Sequence, residues 1–181
     1  MKDIVLQAFE ESTRVKEHFA KENADILVAA VGQTLMIKKD WIKDGAVFGQ
    51  AWEGWHMLIL AAQQTPDEYL GYLRRETIPY LVAGEKGVDL RLALEKLGAK
   101  LGVTTVLSTA GGRLSGALLR AGLVDEINVE FLPGLIGGPD TPSLFDSPTL
   151  GPDERPTRLD LISAHVQAGG QVWLRYRVIS E

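Results

Sequence analysis

The sequence predicts an α/β fold in three layers: a mainly parallel sheet with helices on both faces, closed by a C-terminal antiparallel hairpin. Three observations predict it. Short β-prone runs alternate with amphipathic stretches at helical spacing through most of the chain. Residues 24–31, ADILVAAV, are apolar almost throughout, as a strand covered on both faces must be. Near the C-terminus, two strand-like runs, 158–166 and 172–179, flank Ala168, Gly169, Gly170 and Gln171, which is a hairpin signature.

Composition bounds what such a fold is for. The 181 residues, 45% of them apolar, suffice for one α/β domain spanning 1–181 with a proper core. A formal charge of −5 with scattered Lys and Arg argues against nucleic acid or an anionic membrane as partner. The absence of cysteine excludes disulfides, zinc–thiolate sites and cysteine nucleophiles. Charges at Lys2, Asp3, Glu10, Glu11, Arg14 and Lys16 leave no signal peptide visible. The apolar runs are too short to span a bilayer, so a soluble, cytoplasmic protein is expected.

Taken in order, residues 4–9 read as a first strand. A helix capped by Ser12 or Thr13 follows to about residue 23, with Val15 and Phe19 inward and His18 beside them as a structural or exposed residue. The apolar strand 24–31 ends at Gly32. One or two helical turns over 38–44 bury Trp41 and Ile42, and 46–48 form a short strand. Residues 49–55 hold two glycines and two tryptophans, Trp52 and Trp55, which could stack on a flat ligand but are more simply used in packing or an interface. A strand over 56–62 leads to Thr65, Pro66, Asp67 and Glu68, a helix start with a threonine cap and proline in the first position. That helix turns Tyr69, Leu70 and Leu73 inward. Residues 78–83 are a strand, 84–87 a turn, and 88–97 a helix dense in leucine. After residue 125, Ile127, Val129 and Phe131 alternate with Asn128 and Glu130, predicting a strand that is half exposed or near an edge. Residues 133–156 are too rich in proline and glycine for regular structure and read as an ordered loop or a lid.

The chain is organised around 104–125, TTVLSTAGGRLSGALLRAGLVD, a buried strand, a glycine turn and an apolar helix in succession. Leu114, Leu118, Leu119 and Leu123 form the packed face of that helix. Ala110, Gly111 and Gly112 leave the helix N-terminus clear of bulky side chains, and its unpaired N–H groups suit an anion such as phosphate. The same two glycines equally serve close strand–helix packing, and spacing alone does not separate the two uses.

From about residue 55 onward the chain resembles the dihydrofolate-reductase-like reductases, most closely the reductase domain of the riboflavin-pathway deaminase/reductase and its single-domain relatives. The matching residues are Ile78, Pro79, Tyr80, Leu81, Val82, Ala83, Gly84 and Glu85, then Val88, Asp89 and Leu90, then 108–114 (STAGGRL) and 116–126 (GALLRAGLVDE), with Pro133 and the LIGG turn at 135–138 in register. The resemblance implies a reduced nicotinamide dinucleotide, NADPH or NADH, as hydride donor and a small heterocyclic substrate. The cofactor phosphates would lie over Ala110, Gly111, Gly112, Arg113 and Leu114. Gly84 and Glu85 would line the cofactor groove, Gly32, Gln33 and Thr34 would sit by the nicotinamide, and Thr109 would meet substrate. The family also implies a homodimer formed through a sheet edge, although Arg175 and Arg177 could equally blunt that edge.

The first third departs from this pattern. Residues 24–48 resemble the Rossmann part of the methylenetetrahydrofolate dehydrogenase/cyclohydrolases, which suggests a chimera with 1–54 grafted onto a reductase-like body; convergence of two βα units is the alternative. The family's Ser-Leu-Asp-Gly-like substrate turn is absent, Phe9, Glu10, Glu11 and Ser12 standing there instead. Gln33 replaces the arginine of a Gly-Arg-x-Thr phosphate motif, and Gln63 and Gln64 stand where serine and arginine hold a 2′-phosphate. An arginine–phosphate bond contributes ~1.5–3 kcal/mol, so losing two weakens the dinucleotide by ~10²–10⁴-fold. Glu10, Glu11 and Asp25 could supply a proton, but surface or turn roles explain them more simply. Two functions follow: an impaired reductase, or a relic or engineered fold that binds nucleotide weakly and does not turn over.

Overall fold

A computed structural model of the chain describes residues 3–8, 26–29, 34–38, 51–52, 55–135, 137–138, 141 and 143–179, those up to residue 57 as backbone strands only. In chain order the elements are β1 (Asp3–Ala8), β2 (Ile26–Ala29), β3 (Thr34–Lys38), β4 (Ala51–Trp52), β5 (Trp55–Ala61), α1 (Asp67–Arg75), β6 (Tyr80–Val82), α2 (Leu90–Leu101), β7 (Thr105–Thr109), α3 (Gly112–Arg120), β8 (Glu126–Phe131), β9 (Arg158–Val166) and β10 (Val172–Ile179). The ten strands form one sheet in the order β4-β5-β3-β2-β7-β1-β8-β10-β9, with β6 beside β5.

The α/β class and the C-terminal hairpin are as expected, but the sheet is mixed rather than mainly parallel. β7 runs parallel to both β1 and β2, β1 parallel to β8, and β5 parallel to β6. The pairs β2–β3, β3–β5, β4–β5, β8–β10 and β9–β10 are antiparallel. The reason for β2–β3 lies in chain length. Only residues 30–33 separate the two strands, far short of the dozen or so that a parallel crossover needs. Lys38, expected to open a helix, closes β3. The rest of that expected helix, the strand expected over 46–48 and the helix expected to end near residue 23 lie outside the described residues.

Helices cover both faces. Along β5, Leu58 and Leu60 point to one side, where Leu94 and Leu97 of α2, Leu118 of α3, Val106 and Ile127 complete the larger core. Ile59 and Ala61 point to the other, against Leu70 and Leu73 of α1. In β7, Val106 and Leu107 are each 3% exposed, though successive residues face opposite sides. This strand is therefore buried on both faces, with strands on both edges.

Several expectations change once neighbours are in place. Thr65 does not cap α1: its hydroxyl accepts from the Ala62 amide at 2.9 Å and ties down the preceding turn, leaving Pro66 at the cap position. Tyr69 is turned outward and stacks on Tyr72, because Leu70 and Leu73 already fill the buried stripe. β8 is no edge strand. It lies between β1 and β10, and Asn128 is fully buried, its amide donating to Glu126 Oε1 at 2.9 Å and its oxygen accepting from Trp173 Nε1 at 3.2 Å. Arg175 Nε reaches the same Glu126 oxygen at 2.9 Å, so β10 supplies the partners that allow polar side chains here.

Helix α1 ends in a Schellman turn, Ile78 N–H donating to the Leu73 carbonyl at 2.8 Å. The residue in the left-handed position of that turn is Thr77, at φ 56°, where glycine is normally found. Left-handed backbone costs an L-residue ~1–2 kcal/mol, and glycine gives back part of that gain as unfolded-state freedom. Thr77→Gly is expected to raise stability by ~0.5–1 kcal/mol, or ~2 °C in Tm for a chain of this size, measured by thermal and urea denaturation. A lower Tm would show that the threonine side chain stabilises the turn.

Candidate active site

The strand directions bring one set of chain ends together. β1, β2, β5, β6, β7 and β8 all point the same way, so their carboxyl ends share one edge of the sheet. β3 runs oppositely, and its first residue, Thr34, lies on that edge too. β1 and β7 are neighbours from which the chain departs in opposite directions, toward β2 after β1 and toward β8 after β7. In open α/β sheets such a switch point is where a crevice forms and ligands bind.

At this point β7 passes into α3. Thr109, half-buried, ends the strand opposite Ala29 of β2. Ala110 is buried, and two buried hydroxyls hold its backbone: its N–H donates to Ser108 Oγ at 3.4 Å, and its carbonyl accepts from Ser115 Oγ at 3.1 Å. Gly111 caps the helix with no side-chain hydrogen bond. Among the described residues, the amides of Gly111, Gly112, Arg113 and Leu114 donate to no protein acceptor. They form a run of donors at the positive end of the helix, which favours an anion.

The glycines divide into two kinds. Gly111 is exposed, and a β-carbon added there would meet nothing within 4 Å. Gly112 and Gly116, one turn apart on α3, carry the loop after β8: a methyl on Gly112 would overlap the Ser143 carbonyl oxygen, and one on Gly116 would lie 2.5 Å from the Asp146 carbonyl oxygen. Close packing is thus the use of Gly112 and Gly116, against this loop rather than between strand and helix, and Gly111 takes no part in it among the described residues. The Asp146 N–H donates to the Gly112 carbonyl at 2.9 Å, and Arg120 donates to the Pro148 carbonyl at 2.6 Å and to Glu154 at 3.2 Å. The Gly151 amide, which donates to Glu154, and then the Arg120 charge hold the Glu154 carboxyl below the ordinary glutamate value of 4.5. Residues 143–154 are therefore clasped to α3 rather than hanging free. The sequence carried a signal for this, glycines at i and i+4 with arginines on the same helix, facing an acidic, proline-rich loop.

The remaining expected site residues are spread along the edge. Arg113 is 95% exposed in its side chain and makes one loose ion pair, Nε to Asp146 Oδ2 at 3.5 Å. Leu114 buries its side chain against the core, leaving its amide for the turn. Gly84, at φ 94°, has no room for a side chain over Gly87 and Asp89, and its carbonyl accepts from Gln63 N–H at 3.0 Å. Glu85 is exposed and its carbonyl accepts from Gln64 N–H at 3.0 Å. Counting strands at ~4.8 Å each, Thr34 stands ~10 Å and Gly84 ~19 Å from Thr109, so only a long ligand could touch all three. Gly32, Gln33, Glu10, Glu11 and Asp25 lie outside the described residues. Among the described residues no group of three His, Asp or Glu is placed to hold a metal ion, and no helix is long and apolar enough to cross a membrane.

The RibD C-terminal domain family matches residues 20–174. The chain belongs to this family. The match takes in residues 24–48, so that segment has a place in the same family pattern; nothing in the fold or the comparisons marks it as a graft or ties it to the dehydrogenase/cyclohydrolases. Among curated relatives, the 2,5-diamino-6-ribosylamino-4(3H)-pyrimidinone 5′-phosphate reductase of Methanothermobacter thermautotrophicus is 33% identical over 104 residues, 58% of this chain and 47% of that protein. The enzyme of the same name from Archaeoglobus fulgidus is 34% identical over 89 residues, 49% of this chain and 40% of that protein. The chain thus spans less than half the length of the curated relatives it matches. Among solved structures, a pyrimidine reductase-like protein from Corynebacterium diphtheriae superposes with a TM-score of 0.63 at 18% identity, over 99% of this chain and 77% of that one. RibD of Acinetobacter baumannii gives 0.66 at 16%, over 99% and 59%. The fold is that of the RibD-like, dihydrofolate-reductase-like reductases.

The clasp yields a prediction opposite to helix propensity. On an isolated helix Gly116→Ala would stabilise by ~1 kcal/mol. Here it is expected to destabilise the protein by ~1–3 kcal/mol in urea denaturation, because the methyl forces the backbone at Asp146 off the helix. Unchanged or increased stability would show that the loop adjusts freely.

Proposed function

We propose that this domain is a reductase of the riboflavin-pathway type, using NADPH or NADH to reduce a small heterocyclic substrate related to the ribosylaminopyrimidinone phosphate of its relatives' names. The single observation that carries the reading is the run of amides at 111–114 that meet no acceptor among the described residues, at the switch point of a RibD-family sheet. These residues fit a dinucleotide: four backbone donors and a helix end for the pyrophosphate, an exposed and loosely paired Arg113 to follow it, and free space over Gly111. The dinucleotide, when bound, supplies hydride. The chain's part is to hold its phosphates at 111–114 and to present Thr109 toward substrate, while Gly84 and Glu85 flank the far end of the groove, with Gly32, Gln33 and Thr34 nearer the nicotinamide. Because Gln63 and Gln64 provide no charge for a 2′-phosphate, binding is expected to be weak for NADPH.

The test uses the open glycine. At Gly111, φ −68° and ψ 172° suit alanine and nothing obstructs a methyl, so Gly111→Ala leaves the fold intact. It is expected to keep Tm within about 1 °C while weakening NADPH and NADH at least ~10-fold, the scale of losing close backbone approach to a phosphate. Affinity is read from quenching of tryptophan fluorescence. Equal affinity in the variant would place the phosphate elsewhere. A wild-type protein that ignores both cofactors at millimolar concentration would favour the second reading, a fold kept without turnover, which the glutamines at 63 and 64 support.

The reductase reading includes a homodimer. β9 is the outermost strand of the sheet, nine residues long, with Leu159, Leu161, Ile162 and Val166 exposed, an edge of the kind that pairs unless blunted. Arg175 and Arg177 do not blunt it, since both lie on the inner strand β10, and Arg175 is tied to Glu126. A dimer is expected by light scattering, shifted to monomer by Leu161→Glu with Val166→Glu. A monomeric wild type would overturn this.

A further inference from the structure

We infer that Ser115 is a positioning residue for the dinucleotide phosphate, acting through the Ala110–Gly111 peptide; this rests on the reductase reading above. Ser115 lies in the first turn of α3 and is 6% exposed. Its backbone and side chain both point back to the residues before the helix. The Ser115 N–H donates to the Gly111 carbonyl at 3.2 Å, and the Ser115 hydroxyl donates to the Ala110 carbonyl at 3.1 Å.

Peptide geometry converts these two bonds into the direction of two others. In a trans peptide the C=O of one residue and the N–H of the next point in opposite senses. With the Ala110 carbonyl drawn down onto Ser115, the Gly111 N–H is turned up and away from the helix. With the Gly111 carbonyl drawn along the helix, the Gly112 N–H faces out of its N-terminus. An ordinary helix start fixes the second of these but not the first. The Ser115 hydroxyl therefore adds Gly111 to the donor run, at a glycine that, unlike Gly112 and Gly116, has open space above it among the described residues. Ser108 steadies the preceding peptide through the Ala110 N–H, from a fully buried position. Without the Ser115 hydroxyl, the Ala110 carbonyl is left buried and unpaired, and the peptide can rotate to seek another donor, taking the Gly111 N–H with it.

Two variants test this. Ser115→Ala removes the donor, and Ser115→Cys keeps nearly the same volume with a weak one. Both are expected to bind NADPH about 3- to 10-fold more weakly than wild type, the loss expected for one hydrogen bond. Inorganic pyrophosphate should lose affinity by the same factor. The distinguishing readout is the Gly111 amide resonance in ¹⁵N-labelled protein titrated with pyrophosphate. In wild type it should shift together with those of Arg113 and Leu114; in both variants its shift should collapse while theirs persist. A purely structural role for the hydroxyl would lower Tm and leave the Gly111 shift in place, and that result overturns the proposal. So does wild-type affinity in a folded Ser115→Ala or Ser115→Cys protein. If wild type binds neither NADPH nor pyrophosphate, the reductase reading falls as well, which the variants alone could not bring about.

Discussion

The structure depends most on what happens to the backbone as β7 becomes α3. β7 is hydrogen-bonded on both edges and covered on both faces, so its path is fixed by the core. The chain must leave it at the carboxyl edge and start a helix whose first-turn amides have no partner within the helix itself. Burying them would leave donors unsatisfied at a cost of ~1–3 kcal/mol each. Among the described residues they meet no acceptor, while Ser115 holds the carbonyl pole of the Ala110–Gly111 peptide and Ser108 accepts from the Ala110 N–H behind it.

Glycine on this helix answers two separate demands. At Gly112 and Gly116 the missing side chains admit the backbone of 143–146, and Arg120 fastens the loop further along, at Pro148 and Glu154. At Gly111 no described residue needs the space. The loop therefore flanks the helix start without covering it, and it brings Asp146 near Arg113, whose pairing is too exposed and too long to hold the guanidinium firmly. The clasp uses surface contacts that are individually weak; its backbone bond to Gly112 and close fit at Gly116 give it definite position.

At the other end of the sheet, polar groups are buried by pairing rather than excluded. Glu126 serves both Asn128 and Arg175, and Asn128 serves Trp173, so four strand residues form one continuous chain of donors and acceptors. Removing one member would strand another in the interior. This network ties the antiparallel hairpin to the parallel centre of the sheet, and beyond it β9 is the outermost strand at that end.

The sequence by itself determined the elements with strong periodicity and the turn that matters most. The helices at 67–75, 90–101 and 112–120, the hairpin, and the glycine junction after residue 109 are all legible because local spacing and turn chemistry encode them. Only the tertiary structure decided which way strands run and which side chains are inside. A four-residue link forced β3 antiparallel, yet alternating residues in β8 gave no hint that Asn128 would find Glu126 and Trp173 in the core. Thr65 had the right chemistry for a cap but found a closer donor at Ala62, and Tyr69 had the right spacing for the core but was displaced by leucines. The roles of Gly111 and Gly112 were inseparable in sequence because both readings need a missing side chain. They separate in space because the atoms that would touch that side chain come from a loop some thirty residues further along the chain.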